Sequence, residues 1–440
     1  MPLLTMTSIT REALRVKHNN VVFLRGVNKE YSDQFARSGA KIGSTINIRL
    51  PNQYYVRLGP QLSAQGTNEQ TVPLTLTTQY GVDVNFTMVE MELSLDDFGK
   101  RILTPAMARM SSREDQDLCK QAAYTLWNTV GFAGTSPGPA SAGVGLYDST
   151  APQVFLNADV LLANAACPDF AKYIMLSPAA NASSIASLTG LLNPQTEIGE
   201  QYRKGLISDA LGFEFARDQN ISYIQTGGHG GNPVVSGSGQ QYVAGSPSQL
   251  VTSGWTANAL ILYPGEVFTI AGVYNVNPET QESTGQLQQF VVGGYSVIAN
   301  PGNPPNPPTF SAPAIYADSN GFATIPIMPQ IIPAGVGVAN GTVDSSPLGN
   351  AAITLAFPAN HKYECNIAYQ RDAFTMGTCD LDLPGGVDLA ARENYEGLAM
   401  RVIRAYDIRG DQMPCRVDML AGYATLRGEF GVKIMGALRG

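Results

Sequence analysis

Few side chains in this sequence of 440 residues have the type and spacing to do chemistry. Its three histidines are His18, His229 and His361, so a Ser/His/Asp site must use one of them, and their surroundings do not suggest such a triad. His229 sits in Gly227–Asn232, GGHGGN. That stretch has neither the GK[ST] of a phosphate loop nor a GxGxxG following a strand, so it reads as a flexible loop. His361 and Cys365 have the i,i+4 spacing that sets two metal ligands on one helix face, yet nothing nearby completes a tetrahedral set. Asp380 and Asp382 offer a carboxylate pair, but strand alternation puts both on a solvated face. Asp96 and Asp97 suit the turn into a helix better than a cation, because carboxylates favour helix starts. The expectation is no catalytic residue, no cofactor, no metal and no enzyme.

The element best able to position anything lies within Leu93–Gly131. Thr104 is a capping residue, Pro105 suits the first helical position, and Gly131 ends the run. The pattern predicts a helix over Pro105–Val130, roughly 39 Å long. Met107, Met110, Leu118, Cys119, Ala122, Leu126 and Val130 share one arc, with Arg109, Arg113, Asp117 and Lys120 opposite. Glu114 and Asp115 fall near the apolar arc and spoil the stripe.

Before that helix, residues 8–31 read as basic and helical. Strand-like runs follow at Thr45–Leu50, Tyr54–Leu58, Val72–Thr77 and Val82–Leu95, with Gly59–Gln70 as the tip of a long hairpin. An isolated hairpin is marginal in water, so this arm must rest on another subunit or on its own body. After a Gly/Pro/Ser loop at Gly131–Gly145, helices are expected at Ala158–Ala166, Ala182–Leu191 and Gln195–Leu211, then a strand segment at Gly212–Gln225. Short strands follow at Ala259–Tyr263, Val267–Ile270, Phe290–Val292, Tyr295–Ile298, Thr324–Ile327 and Ala352–Phe357, with an extended proline loop at Pro301–Pro308. Such a run suggests a small barrel or sandwich inserted into a host domain. The tail reads as strands at Cys379–Leu383, Leu398–Tyr406 and Val417–Ile434.

Charge sharpens this division. Only 15% of residues are charged, against the ~25% usual in soluble domains. Residues 1–50 hold eight Lys and Arg against three acidic residues, a net of +5, so a chain whose total is −8 carries −13 beyond them. Between Arg217 and Lys362 there is no Lys or Arg at all across 144 residues. An acidic total argues against a dedicated nucleic-acid binder. The five cysteines are scattered without a CxxC and read as buried free thiols. No secretory signal and no membrane-length apolar run is visible, so cytosolic synthesis is expected.

The order of parts resembles the major coat proteins of tailed double-stranded-DNA phages with the HK97 shell fold, and more narrowly the short-tailed branch typified by phage P22. The local matches are Val82–Asp97 leading as a strand into an acidic turn and then the helix, Gly212-Phe213 with Arg217 and Ile221–Ile224, and Cys415-Arg416-Val417 with Gly422, Ala424 and Thr425. The resemblance implies an α+β, HK97-like capsid fold with an inserted β-barrel-like domain. Its parts map as an N-terminal arm (1–40), an extended loop lying across a neighbour (41–92), a spine helix with peripheral domain (93–145), an axial domain (146–225), the inserted domain (226–357) and closing strands (358–440). It further implies a shell of hexamers and pentamers, a scaffolding protein, a portal at one vertex, and packaged DNA held without sequence specificity, in the capsid of a virion, with the protein synthesised in the host cytoplasm and no membrane partner. The competing readings are a receptor- or glycan-binding β-rich protein, favoured by the neutral Gly/Pro block, a hydrolase of unassigned class, and an encapsulin-like compartment.

Overall fold

The computed structural model describes residues 6–31, 43–54, 56, 59–62, 64, 70–86, 104–131, 151–188, 209–243, 248–293, 296–298, 309–311, 313–335, 340–387, 389–395, 398–408 and 413–439. Helices α1 (Met6–Asn20), α2 (Thr104–Thr125), α3 (Ala151–Asn164) and α4 (Pro178–Leu188) accompany two sheets of the body, a β hairpin and a β barrel.

Helix α2 buries Met107, Met110, Leu118, Cys119 and Ala122, as the apolar spacing requires. It ends at Thr125, five residues before the expected Val130. The reason is tertiary. Asn128–Val130 pairs in parallel with Val432–Ile434. The Gln289 side chain also completes Thr129, accepting from its N–H at 2.6 Å and donating to its carbonyl at 3.2 Å. A strand partner and an amide bracket hold these residues extended, where local sequence favours continuing the helix. Asp117, expected on the solvated face, is also buried.

One body sheet orders Asn128–Val130, Gly431–Arg439, Lys362–Gln370, Lys172–Leu176, Phe213–Arg217 and Asp209–Ala210, with Tyr223–Gln225 also on Lys362–Gln370. Helix α3 covers it through Val154, Phe155, Ala158 and Leu162 against Ile174, Leu176, Phe213 and Phe215. The second sheet runs Phe374–Cys379, Met413–Thr425, Leu398–Arg404, Leu389–Tyr395, with Thr78–Phe86 along Met413–Thr425. The single long strand expected at Val417–Ile434 is therefore two, in different sheets, parted by the turn at Gly428–Phe430. Phe23 joins arm and body, 4.7 Å from the Tyr369 ring and 5.7 Å from Phe374; such burial is worth ~1.5–3 kcal/mol.

The hairpin pairs Thr45–Arg49 with Thr71–Thr75. Tyr54 and Val56, expected in a strand, are irregular and exposed. Helix α3 begins at Ala151, seven residues before the expected Ala158. Helix α4 begins at Pro178 because Ser177 caps it, its Oγ accepting from Ala180 N–H at 3.0 Å. Strand Phe374–Cys379 ends before Asp380 and Asp382, which follow it in irregular backbone. The loop at 132–145, the segment 195–208, Asp96, Asp97 and Pro301–Pro308 lie outside the described residues.

Residues 231–355 supply a six-stranded sheet ordered Ile353–Leu355, Val267–Val276, Ser283–Val292, Ala323–Met328, Gln249–Trp255, Gly231–Val235. Its ends meet: Val235 N–H donates to Ala351 O and Asn350 N–H to Val235 O, both at 2.9 Å, closing a barrel. Alternation along Gln249–Trp255 turns Leu250, Thr252 and Trp255 inward beside Phe268, Phe290 and Ile325. The strands Gly231–Val235 and Gln249–Trp255 were not expected from sequence, because glycine and serine dilute their β signal.

Gly422 is where the hairpin crosses Met413–Thr425. A Cβ there meets Thr75 O at 2.2 Å, whereas one at Gly385 meets nothing within 4 Å. Gly422→Ala is expected to cost ~1–3 kcal/mol and to expose Thr71–Thr75 to protease, while Gly385→Ala leaves thermal unfolding unchanged.

Candidate assembly site

Three seams join the parts, and each is built on a buried charge. At the first, α1 lies on α2. Lys17 and Glu114, both fully buried, form an ion pair at 2.8 Å, with Met419 Sδ 2.7 Å from the ammonium. Asp115 accepts from Val22 N–H at 3.0 Å and Leu24 N–H at 3.2 Å, ending the free donors where the arm turns. The acidic pair that interrupts the apolar stripe is thus the arm's docking point. Burial pushes the Glu114 carboxyl up and the Lys17 ammonium down, each against the pull of its partner.

At the second seam the strand Thr78–Phe86, which follows the hairpin, meets α2. Tyr80 donates to Asp117 Oδ2 at 2.9 Å, and Arg113 reaches the same oxygen at 3.2 Å. Across the sheet, fully buried Asp418 holds Arg401 and Arg416, both at 2.7 Å.

The third seam fastens the barrel. Glu266, 1% exposed, accepts from Gly227 N–H at 2.8 Å and Tyr263 N–H at 2.6 Å through Oε1, and contacts His229 Nε2 through Oε2. Lys433 donates to Gly265 O at 2.8 Å and Ala123 O at 3.2 Å. Burial lowers that ammonium to about 8, opposed by Cys365 and Glu266.

The sequence candidates come out differently from their expectations. The GGHGGN stretch is a packed crossing: a Cβ on Gly227 meets Ile261 O at 2.2 Å. His361 precedes strand Lys362–Gln370, in which Cys365 is buried, so the pair shares no helix face. His18 lies in α1. Among the described residues no cluster of three or more His, Cys, Asp or Glu could hold a metal ion. All five cysteines are free; burial pushes the thiols of Cys167 and Cys365 up to about 12 and Cys415 to about 11.

Outward, the hairpin loop presents Tyr54, Val56 and Leu62 at 58, 87 and 88% exposure. Between the hairpin's root, Trp127 and the barrel lies an open cleft of about 1140 Å³, lined largely by neutral polar groups such as Asn52, Gln53, Asn128 and Gln288, with Glu279, Arg427 and Glu429 among them. Exposed apolar side chains thus stand beside a broad polar cleft.

The sequence profile of the P22 coat protein, gene protein 5, matches residues 18–436. The chain belongs to the P22 coat protein family. It is a major capsid protein, a structural subunit that forms a phage shell. No curated protein sequence matches it. Among solved structures it is similar to one from Mycobacterium phage Che8, at 10% identity and TM-score 0.43, covering 94% of this chain and 90% of that one. A second is the capsid of Cyanophage P-SCSP1u, at 10% identity and TM-score 0.41, covering 90% and 84%. The isolated CUS-3 coat protein I-domain aligns at 25% identity and TM-score 0.18, covering 29% of this chain and 97% of that one. As a P22-type coat protein the chain has virions as its setting, and among the described residues no helix is long and apolar enough to cross a membrane.

The Lys17–Glu114 pair gives the first seam a test. Lys17→Met leaves Glu114 buried without its cation and is expected to cost ~3–5 kcal/mol, most of it restored in Lys17→Met/Glu114→Gln. Denaturant unfolding of both variants checks this; equal losses in single and double variants contradict it.

Proposed function

We propose that this coat protein builds an icosahedral shell of hexamers and pentamers in the HK97 manner, with 231–355 as the core of an inserted domain. The family match over residues 18–436 carries the reading. The chain's own path supports the insertion: it leaves the body at Gln225 and returns at Lys362, and these two residues are paired neighbours in one sheet. A whole folded domain between adjacent strands leaves the host sheet intact, as an insertion must. The boundaries proposed are an arm at 1–40, an extended loop at 41–92, spine and peripheral domain at 93–145, axial domain at 146–225, insertion at 226–357, and closing strands at 358–440.

Composition supports assembly: neutral and apolar groups in place of charge suit a subunit whose surfaces are covered by copies of itself. A net charge of −8 also keeps the protein from trapping packaged DNA, since retention depends on Lys and Arg contacts to phosphate. A scaffolding protein during assembly, a portal at one vertex, and synthesis in the host cytoplasm complete the proposal. The subunit works without catalysis or cofactor, its chemistry being that of contact.

Electron microscopy of the purified protein, expressed with and without a scaffold candidate encoded beside it, tests the proposal. Uniform closed shells with sixfold and fivefold capsomers are expected. Small discrete oligomers under both conditions, at every salt concentration tried, overturn it.

A further inference from the structure

The seam beneath the N-terminal arm gathers four buried acids, two of which, Asp115 and Asp218, have no ion-pair partner among the described residues. Glu114 is completely buried, and Asp115, Asp117 and Asp218 are 1, 3 and 3% exposed. Lys17 is the buried cation facing them; Lys29 acts on Glu114, and Arg113 and Lys120 approach Asp117 from the half-buried side. The other titratable groups around the seam are Tyr80, Tyr423, Tyr369 and Cys119, and burial moves each of them up. Among the described residues, Glu114 Oε2 and Asp218 Oδ2 have no hydrogen-bond partner. Fully ionised, the seam holds Asp115 and Asp218 as neighbouring negative charges out of water with no ion-pair partner among the described residues, which is strongly unfavourable.

We propose that the segment from α1 to Val27 is a proton-dependent clasp: it seats on α2 while carboxyl groups beneath it keep protons, and loosens as they ionise, ahead of the rest of the chain. Its attachment is suited to this role, since the turn at Val22–Leu24 hangs by two N–H groups on one carboxyl, Asp115. The sign follows from linkage. Burial raises Asp115 to about 8, against the two N–H donors that lower it. In the loosened state the group meets water and titrates near ~4. Between those values the seated state holds a proton that the loosened state has released, so seating weakens as pH rises and levels off above about 8. Glu114, Asp117 and Asp218 are raised by burial and act in the same direction, whereas the lowered Lys17 opposes them in the alkaline range.

Hydrogen exchange by mass spectrometry on the full chain reads this directly, after correction for the intrinsic pH dependence of exchange. From about pH 6 to about pH 8, opening of residues 10–27 is expected to rise up to ~10-fold per pH unit relative to residues 362–370. Asp115→Asn is expected to flatten that slope; Glu114→Gln, which leaves the Val22 and Leu24 acceptor in place, is expected to reduce it. A ratio between the two segments that does not change with pH overturns the proposal, as does an Asp115→Asn slope equal to that of the unaltered chain.

Discussion

Desolvated charge on the inner face of α2 is the constraint to which the rest of this structure answers. A helix that buries Glu114, Asp115 and Asp117 beside Met107, Leu118 and Ala122 is tolerable only if each carboxyl finds a partner from elsewhere in the chain. Those partners are Lys17 and the turn at Val22–Leu24 from the N-terminal segment, and Tyr80 from the strand that follows the hairpin. One face of one helix therefore dictates where two distant segments must lie. Apolar burial supplies the bulk of the stability, but it is indifferent to register; hydrogen-bonded charge is not.

The barrel's attachment repeats the solution with different parts. Glu266 and Lys433 do not pair in a conventional salt bridge; each takes backbone groups of the crossing chain as ligands. That makes the geometry specific without requiring a basic residue anywhere from 218 to 361. The charge desert of the sequence is thus compatible with a firmly seated barrel, because its one deep anion is satisfied by two N–H groups and a histidine.

Periodicity, capping residues and β-branched or aromatic content made the main elements legible: α2, the hairpin strands, Leu398–Arg404 and several barrel strands. It failed where a tertiary partner outweighed local preference. Asn128–Val130 is extended because Val432–Ile434 and Gln289 hold it so, and neither is near it in sequence. Asp117 looked solvated because helical spacing cannot reveal that Tyr80 covers that face. The GGHGGN stretch looked mobile because glycine signals both freedom and close packing, and only the Ile261 backbone beside Gly227 decides between them. The clearest available signal was the defect in the stripe. Glu114 and Asp115 broke the pattern of α2, and a broken local rule in an otherwise regular helix marks a place where long-range contacts compensate.

The adjacency of Gln225 and Lys362 has a practical consequence for building with this shell. Paired antiparallel residues lie about 5 Å apart, so the body presents two chain ends at the spacing that many unrelated small domains offer at their own termini. The body is in effect a socket, and a domain entering there needs two closely spaced termini together with contacts that replace those of Gln289 with Thr129 and of Gly265 with Lys433.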